Sequence, residues 1–110
     1  MNRINIDAVL GAYERTGIRA SQGLLYDPYS NCACALGVLL YEKYGEKLSE
    51  LLKEHSEETR AAAELLELDY IYAREFVAGF DDKHMYRTNT DGYSDGSNVW
   101  DACIRQVSTI

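Results

Sequence analysis

The chain has 110 residues, of which 46% are hydrophobic and 26% charged, a balance typical of a globular domain rather than a disordered chain. Its formal net charge of −7 repels phosphate backbones and disfavours direct binding of nucleic acid. No apolar run approaches the ~20 residues of a membrane span, and the first residues lack the basic-then-apolar order of a signal peptide. We therefore expect one cytoplasmic domain over residues 1–110, away from the membrane.

The N-terminal segment has the pattern of an amphipathic helix. Ile6, Val9 and Tyr13 recur at helical spacing on one face. Asn5 is a favoured N-cap residue, and Gly17 is suited to the left-handed conformation that ends many helices. The sequence predicts a first helix between these two residues.

Two features of the next segment predict the centre of the fold. Residues 18–26 are irregular, with short apolar stretches that predict at most one short β-ribbon. Residues 32–44 follow as a helix with almost no polar face, ending at Gly45. Gly37 lies inside this helix, where it costs about 1 kcal/mol relative to alanine, so we expect another backbone to approach closely there. A helix that is apolar all round predicts the central core element.

A short helix is predicted over residues 46–54, followed by a longer segment that Ser56 caps. Treated as one helix over 57–78, this segment places Asp69 in the middle of its apolar face and Ile71 on its polar face. A break near Asp69, with this residue as the N-cap of a new helix, removes both misfits. We therefore prefer two helices here.

The last predicted helix covers about residues 91–107 and has the clearest apolar face in the chain, with Thr90 or Asp91 as its cap. Residues 80–89 before it are predicted as a polar loop. Together these patterns predict a mostly α fold, a compact bundle of four to six helices around the central helix at about 32–44.

Three cysteines, Cys32, Cys34 and Cys103, leave an odd count, which favours buried, reduced thiols. Cys32 and Cys34 lie in the most apolar stretch. On the predicted helix their side chains would point about 200° apart around the helix axis. An alternative interpretation is a small thiol-dependent enzyme that uses Cys32 or Cys34, with Cys32 and His84 as the one nucleophilic dyad that residue types allow. No CxxC or HxxxH spacing indicates a zinc site.

The acidic segment 81–95 is a second alternative, a metal-binding or small-ligand site. A calcium loop that starts at Asp91 would need an oxygen ligand at its third position and a glutamate at its twelfth. Tyr93 and Ala102 occupy these positions, so the EF-hand pattern fails. Turn and cap chemistry accounts better for the aspartates, and we predict no metal, no cofactor and no catalytic residue.

Three short motifs carry a resemblance. The segment Cys-Ala-Cys-Ala-Leu-Gly at 32–37 precedes Gly-Phe-Asp at 79–81 and Asp-Gly-Tyr at 91–93. In this order they resemble small uncharacterised bacterial and phage proteins, which carry a C-A-L-G helix followed by such segments. The resemblance implies no known activity, so it assigns no catalytic residues.

The negative charge is concentrated in the C-terminal half. Residues 1–55 carry six basic and seven acidic residues, whereas residues 56–110 carry five basic and eleven acidic ones. Such a surface predicts a protein-interaction module that binds a basic surface of a protein partner, of the inhibitor or adaptor type found in phages and mobile elements. The predicted partner-binding residues are acidic apart from one tyrosine: Glu57, Glu58, Glu64, Glu67, Tyr70, Asp81, Asp82, Asp91 and Asp95.

A homodimer is a further expectation. Ile71 on a polar face and the apolar residues within 107–110 would need cover if they were exposed together.

Overall fold

The computed structural model describes residues 3–23, 25–54, 57–82 and 90–108, with the backbone alone for residues 106–108. The described elements in chain order are α1 (Ile6–Thr16), β1 (Arg19–Ala20), β2 (Tyr26–Asp27), β3 (Cys32–Ala33), α2 (Ala35–Tyr44), a 3-10 turn (Gly45–Lys47), α3 (Leu48–Lys53), α4 (Glu58–Leu65), α5 (Tyr70–Phe80) and α6 (Asp91–Ser108). The predicted mostly α class is confirmed.

Helix α1 begins and ends where its sequence predicts. The side chain of Asn5 accepts a hydrogen bond of 3.1 Å from the backbone N–H of Ala8. Gly17 follows the helix with a φ of 73°, and its N–H donates to the carbonyl of Tyr13. Both ends of α1 are therefore fixed by local chemistry.

The strands near residues 18–26 do not pair as the predicted ribbon would require. The strands β1 and β2 do not pair with each other: both pair with β3, which lies between them in a three-stranded sheet. Strand β1 runs parallel to β3, with Arg19 opposite Cys32, and β2 runs antiparallel to it, with Tyr26 opposite Ala33. The sequence missed β3 because a two-residue strand inside an apolar run has no alternation that separates it from a helix.

The central helix starts later than predicted, at Ala35 rather than at residue 32. Residues 32–38 are nevertheless the longest unbroken run of buried residues in the described chain, so the predicted core position is correct. Cys32 belongs to β3 and Cys34 is the N-cap residue of α2, which corrects the prediction that both lie on one helix. The buried hydroxyl of Tyr13 joins α1 to this strand by donating a hydrogen bond of 2.7 Å to the carbonyl of Ala33.

The segment after α3 breaks at Asp69, as predicted. The carboxylate of Asp69 accepts a hydrogen bond of 3.1 Å from the N–H of Tyr72 and caps α5. The expectation that this break also removes the misfit at Ile71 is wrong, because Ile71 stays 63% exposed on α5. Ser56, the predicted cap of α4, lies outside the described residues.

Helices α5 and α6 form a close pair that runs in the same direction. Gly92 lies against the carbonyl of Tyr72, and Gly96 lies against the carbonyl of Phe76. One turn further along, the rings of Phe80 and Trp100 meet edge to face at 5.2 Å. The residue numbers of the contacting positions therefore increase together along both helices, as expected for a parallel pair.

Phe80 corrects the predicted loop, because it ends α5 in the core and is 1% exposed rather than lying in a polar segment. At the start of α6, the hydroxyl of Thr90 accepts a hydrogen bond of 3.2 Å from the N–H of Tyr93, so Thr90 is the cap. No helix in the described part of the chain is both long and apolar enough to cross a bilayer.

Candidate functional site

A cleft lies where the N-terminus of α4, the C-terminal end of α5 and the segment between β1 and β2 meet. Its volume is about 150 Å³. Its walls combine polar and apolar groups: Gly23, Leu25, Cys34, Glu58, Thr59, Val77 and Asp81. Two of the predicted partner-binding residues, Glu58 and Asp81, thus come together on its walls, although 23 positions separate them in sequence.

Gln22, Gly23 and Leu25, which lie between β1 and β2, each contact another part of the fold. The side-chain amide of Gln22 donates a hydrogen bond of 3.0 Å to the carbonyl of Phe80, and the N–H of Gly23 donates one of 2.9 Å to the carboxylate of Asp81. On the other side, a Cβ on Gly37 would stand 1.6 Å from the carbonyl oxygen of Leu25. Gly37 therefore allows the backbone approach that the sequence predicted, and this approach places Leu25 on the cleft wall.

Cys34, the N-cap residue of α2, lines the cleft and is 5% exposed. Burial raises the pKa of its thiol to about 12, whereas hydrogen bonds from the N–H groups of Gly37 and Leu36 act in the opposite direction. The negative charges of Asp81 and Glu58 raise the pKa further. The thiol is therefore protonated at neutral pH and contributes an uncharged, largely apolar wall.

A second acidic group surrounds Arg3. The guanidinium of Arg3 donates hydrogen bonds of 3.0 and 2.7 Å to the carboxylate of Asp95 and lies 3.7 Å from that of Asp91. The hydroxyl of Tyr72 donates to Asp95 at 2.5 Å and accepts from the N–H of Ile4 at 2.9 Å. Burial, together with the bond to Asp95, raises the pKa of Tyr72 to about 12. The cluster fastens the N-terminal segment to α5 and α6, so Asp95 has a structural role.

A third group forms beside the N-terminus of α4. The hydroxyl of Tyr70 donates a hydrogen bond of 2.7 Å to Glu57, which raises the pKa of Tyr70. The guanidinium of Arg60 lies 4.1 Å from the centre of the Tyr70 ring and 3.8 Å from the carboxylate of Glu57. Tyr70 is half-buried and lies beside Glu57, next to the N-terminus of α4.

The remaining predicted partner-binding residues are exposed on or next to α4 and α5. Glu64 lies on α4, while Glu67 and Asp82 follow the ends of α4 and α5. Glu67 and Asp82 have φ angles of 57° and 55°, which places both in sharp turns. The predicted residues thus divide among the cleft, the Arg3 group, the Tyr70 group and the surrounding surface.

Two alternatives depend partly on residues outside the described ranges. In the described chain, no three His, Cys, Asp or Glu residues are arranged to hold a metal ion. Both histidines, His55 and His84, and residues 83–89 of the acidic segment lie outside the described residues. The dyad of Cys32 with His84 therefore stays a prediction.

Several cleft residues gave no sequence signal. Leu25, Thr59 and Val77 are ordinary apolar or small polar residues, and only the folded chain brings them beside the acidic pair. Comparison with protein-family models, with curated proteins and with solved structures gave no match.

Proposed function

We propose that this chain is a non-enzymatic protein-interaction module whose acidic α4–α5 surface binds a basic surface of a partner protein, in the manner of an inhibitor or adaptor. One observation carries the proposal. Residues 57–82 carry eight acidic and two basic residues, a net of −6 out of −7 for the whole chain. None of the eighteen Asp and Glu side chains of the protein is buried.

The position of this charge supports the proposal because α4 and α5 pack on each other. Charge on one packed unit gives a field of one sign, which raises the rate of encounter with a basic patch and falls with added salt. Tyr70 at its edge adds an aromatic side chain of the kind that anchors interfaces. A partner site that normally holds nucleic acid has the required basic character.

The thiol enzyme is supported less well. A nucleophilic cysteine needs an accessible thiolate at neutral pH. Cys32 and Cys34 are instead 9% and 5% exposed, and burial raises the pKa of Cys34 to about 12. A binding role requires neither thiolate.

The proposal is tested by capturing partners from the native host with the wild-type protein and two charge-reversal variants. The first variant, Glu64→Lys with Glu67→Lys, changes the α4–α5 surface by four charges. The matched control, Glu46→Lys with Glu50→Lys, makes the same change at exposed positions in the 3-10 turn and α3. Circular dichroism checks that all three proteins are folded.

We expect the wild type and the control to capture the same protein, with a basic contact surface, and the first variant to lose most of it. Equal capture by all three proteins, or loss with the control variant alone, would contradict binding through the α4–α5 surface.

A further inference from the structure

The cleft at the edge of the acidic surface has two chemically different walls. Glu58 and Asp81 supply carboxylates, and the half-buried Leu25 and Val77 supply apolar surface. The protonated thiol of Cys34 also lines the cleft, and the negative charges of Asp81 and Glu58 raise its pKa. The cleft therefore combines apolar surface with negative charge.

The size of the cleft restricts what it can hold. Its volume of about 150 Å³ is well below the ~300–1,000 Å³ of typical small-molecule sites. It exceeds the ~30 Å³ that one water molecule occupies in the liquid. A single long side chain matches this range better than a cofactor or a metabolite does.

The charge of the cleft selects the class of side chain. Two carboxylates favour a cation, and the described residues offer no set of three ligands for a metal ion. Lysine and arginine combine a cationic head with an aliphatic stem that packs on apolar surface. Their charged heads make strong hydrogen bonds to carboxylates.

We infer that the cleft receives one basic side chain of the partner, with its stem against Leu25 and Val77 and its charged head at Glu58 and Asp81. The inference rests on the proposed function, because it names the part of the acidic surface that recognises the partner. The remaining charge on α4 and α5 then serves encounter, while the cleft provides a directional contact.

The test is a titration of ¹⁵N-labelled protein followed by NMR, with three blocked tripeptides as probes. Acetyl-Gly-Lys-Gly-amide and acetyl-Gly-Arg-Gly-amide carry the two basic side chains and show which is preferred. Acetyl-Gly-norleucine-Gly-amide has a stem of similar length without the charge. We expect saturable shifts of the Gly23, Thr59 and Asp81 amides with a basic probe and none with norleucine.

Two near-isosteric variants then test the acidic pair. Asp81→Asn keeps an oxygen that accepts the hydrogen bond from Gly23 N–H, so the cleft wall is preserved. Glu58→Gln removes the second charge, and Glu50→Gln on α3 is the control. Each cleft variant is expected to weaken binding about twofold to fivefold, as loss of a solvent-exposed ion pair does.

Equal shifts with the norleucine probe, or a silent cleft with both basic probes, would overturn the inference. The capture experiment tests the proposed function independently of the cleft. The proposed function is wrong if reversal of Glu64 and Glu67 leaves capture of the partner unchanged. A silent cleft together with charge-dependent capture would leave the acidic surface as the binding site and remove only the side-chain pocket.

Discussion

Asp95 shows how one carboxylate can serve the fold rather than a partner. Burial by itself would raise the pKa of Asp95, but hydrogen bonds from Arg3 and Tyr72, with the charge of Arg3, lower it below the ordinary 3.8. A carboxyl whose pKa is lower in the folded than in the unfolded chain stabilises the fold above its unfolded-state pKa. That contribution is lost as the pH falls through the folded-state value.

We therefore predict that Asp95→Asn lowers the free energy of unfolding at pH 7 by about 1 kcal/mol, since Arg3 is half exposed and solvent screens the pair. The difference from wild type narrows as the pH falls from the ordinary 3.8 through the lower folded-state pKa, where the wild-type carboxyl becomes protonated. Urea unfolding at several pH values measures this difference in the free energy of unfolding. Asp101→Asn on the exposed face of α6 is the control, and a difference that does not change with pH would refute the role of the Asp95 charge.

Two buried thiols should be slow to react in the native protein. Cys34 and Cys103 are 5% and 4% exposed, and burial raises their pKa values to about 12 and 11. Both should react with a disulfide reagent at pH 7.5 at least ~100-fold more slowly in the native protein than in urea, because each pKa unit lowers the thiolate fraction tenfold. Mass spectrometry identifies the labelled residue. Native labelling of Cys32 or Cys34 within seconds would instead support the thiol enzyme.

At the scale of elements, the α5–α6 pair depends on glycine. A Cβ on Gly96 would stand 2.0 Å from the carbonyl oxygen of Phe76, and one on Gly79 would stand 2.1 Å from that of Tyr93. Neither contact can be relieved by moving a flexible side chain, because both partners are backbone atoms. The two helices can pack at this distance only while both positions lack a side chain.

Gly96→Ala should therefore destabilise the protein by about 1–3 kcal/mol, the usual cost of overpacking, despite the gain in helix propensity. Gly11→Ala on α1 is the matched control. The nearest atoms to a Cβ there belong to the end of the flexible, exposed Arg15 side chain, so the substitution should stabilise the protein by up to about 1 kcal/mol. Thermal unfolding of both variants measures the contrast, and similar effects of the same sign would contradict the close packing of α5 and α6.

The elements that the sequence predicts best are those fixed by local chemistry. Asn5 and Asp69 cap their helices through their own side chains, and Gly17 ends α1, so a few neighbouring residues suffice to place these boundaries. Strand β3 and the late start of α2 depend on pairing with β1 and β2, which no short window contains. The common direction of α5 and α6 is likewise a tertiary property.

The candidate site divides in the same way. Composition singled out Glu58 and Asp81 as acidic residues of an acidic half, but their convergence on Cys34 depends on how α4, α5 and α2 pack. Conversely, the sequence placed Asp95 among the partner-binding residues because Arg3, its partner in the fold, lies 92 positions away. Charge counts find an acidic surface, whereas the pairing of its members requires the fold.

The charge of the whole protein is distributed unevenly along its chain. Residues 57–82 carry a net −6, and the rest of the chain is close to neutral. A protein with this asymmetry approaches a basic partner preferentially through one surface. Charge reversal on that surface should slow association, whereas the same reversal elsewhere should change the association rate much less.

The most direct test is the association rate with the protein recovered by capture, measured by stopped-flow fluorescence of Trp100 between about 10 mM and about 150 mM salt, where the Debye length falls from ~30 to ~8 Å. We expect the wild-type rate to fall steeply with salt. The Glu64→Lys, Glu67→Lys variant should associate several-fold more slowly at low salt, while the Glu46→Lys, Glu50→Lys control stays near wild type. A wild-type rate that is independent of salt and unchanged by reversal of Glu64 and Glu67 would contradict the account.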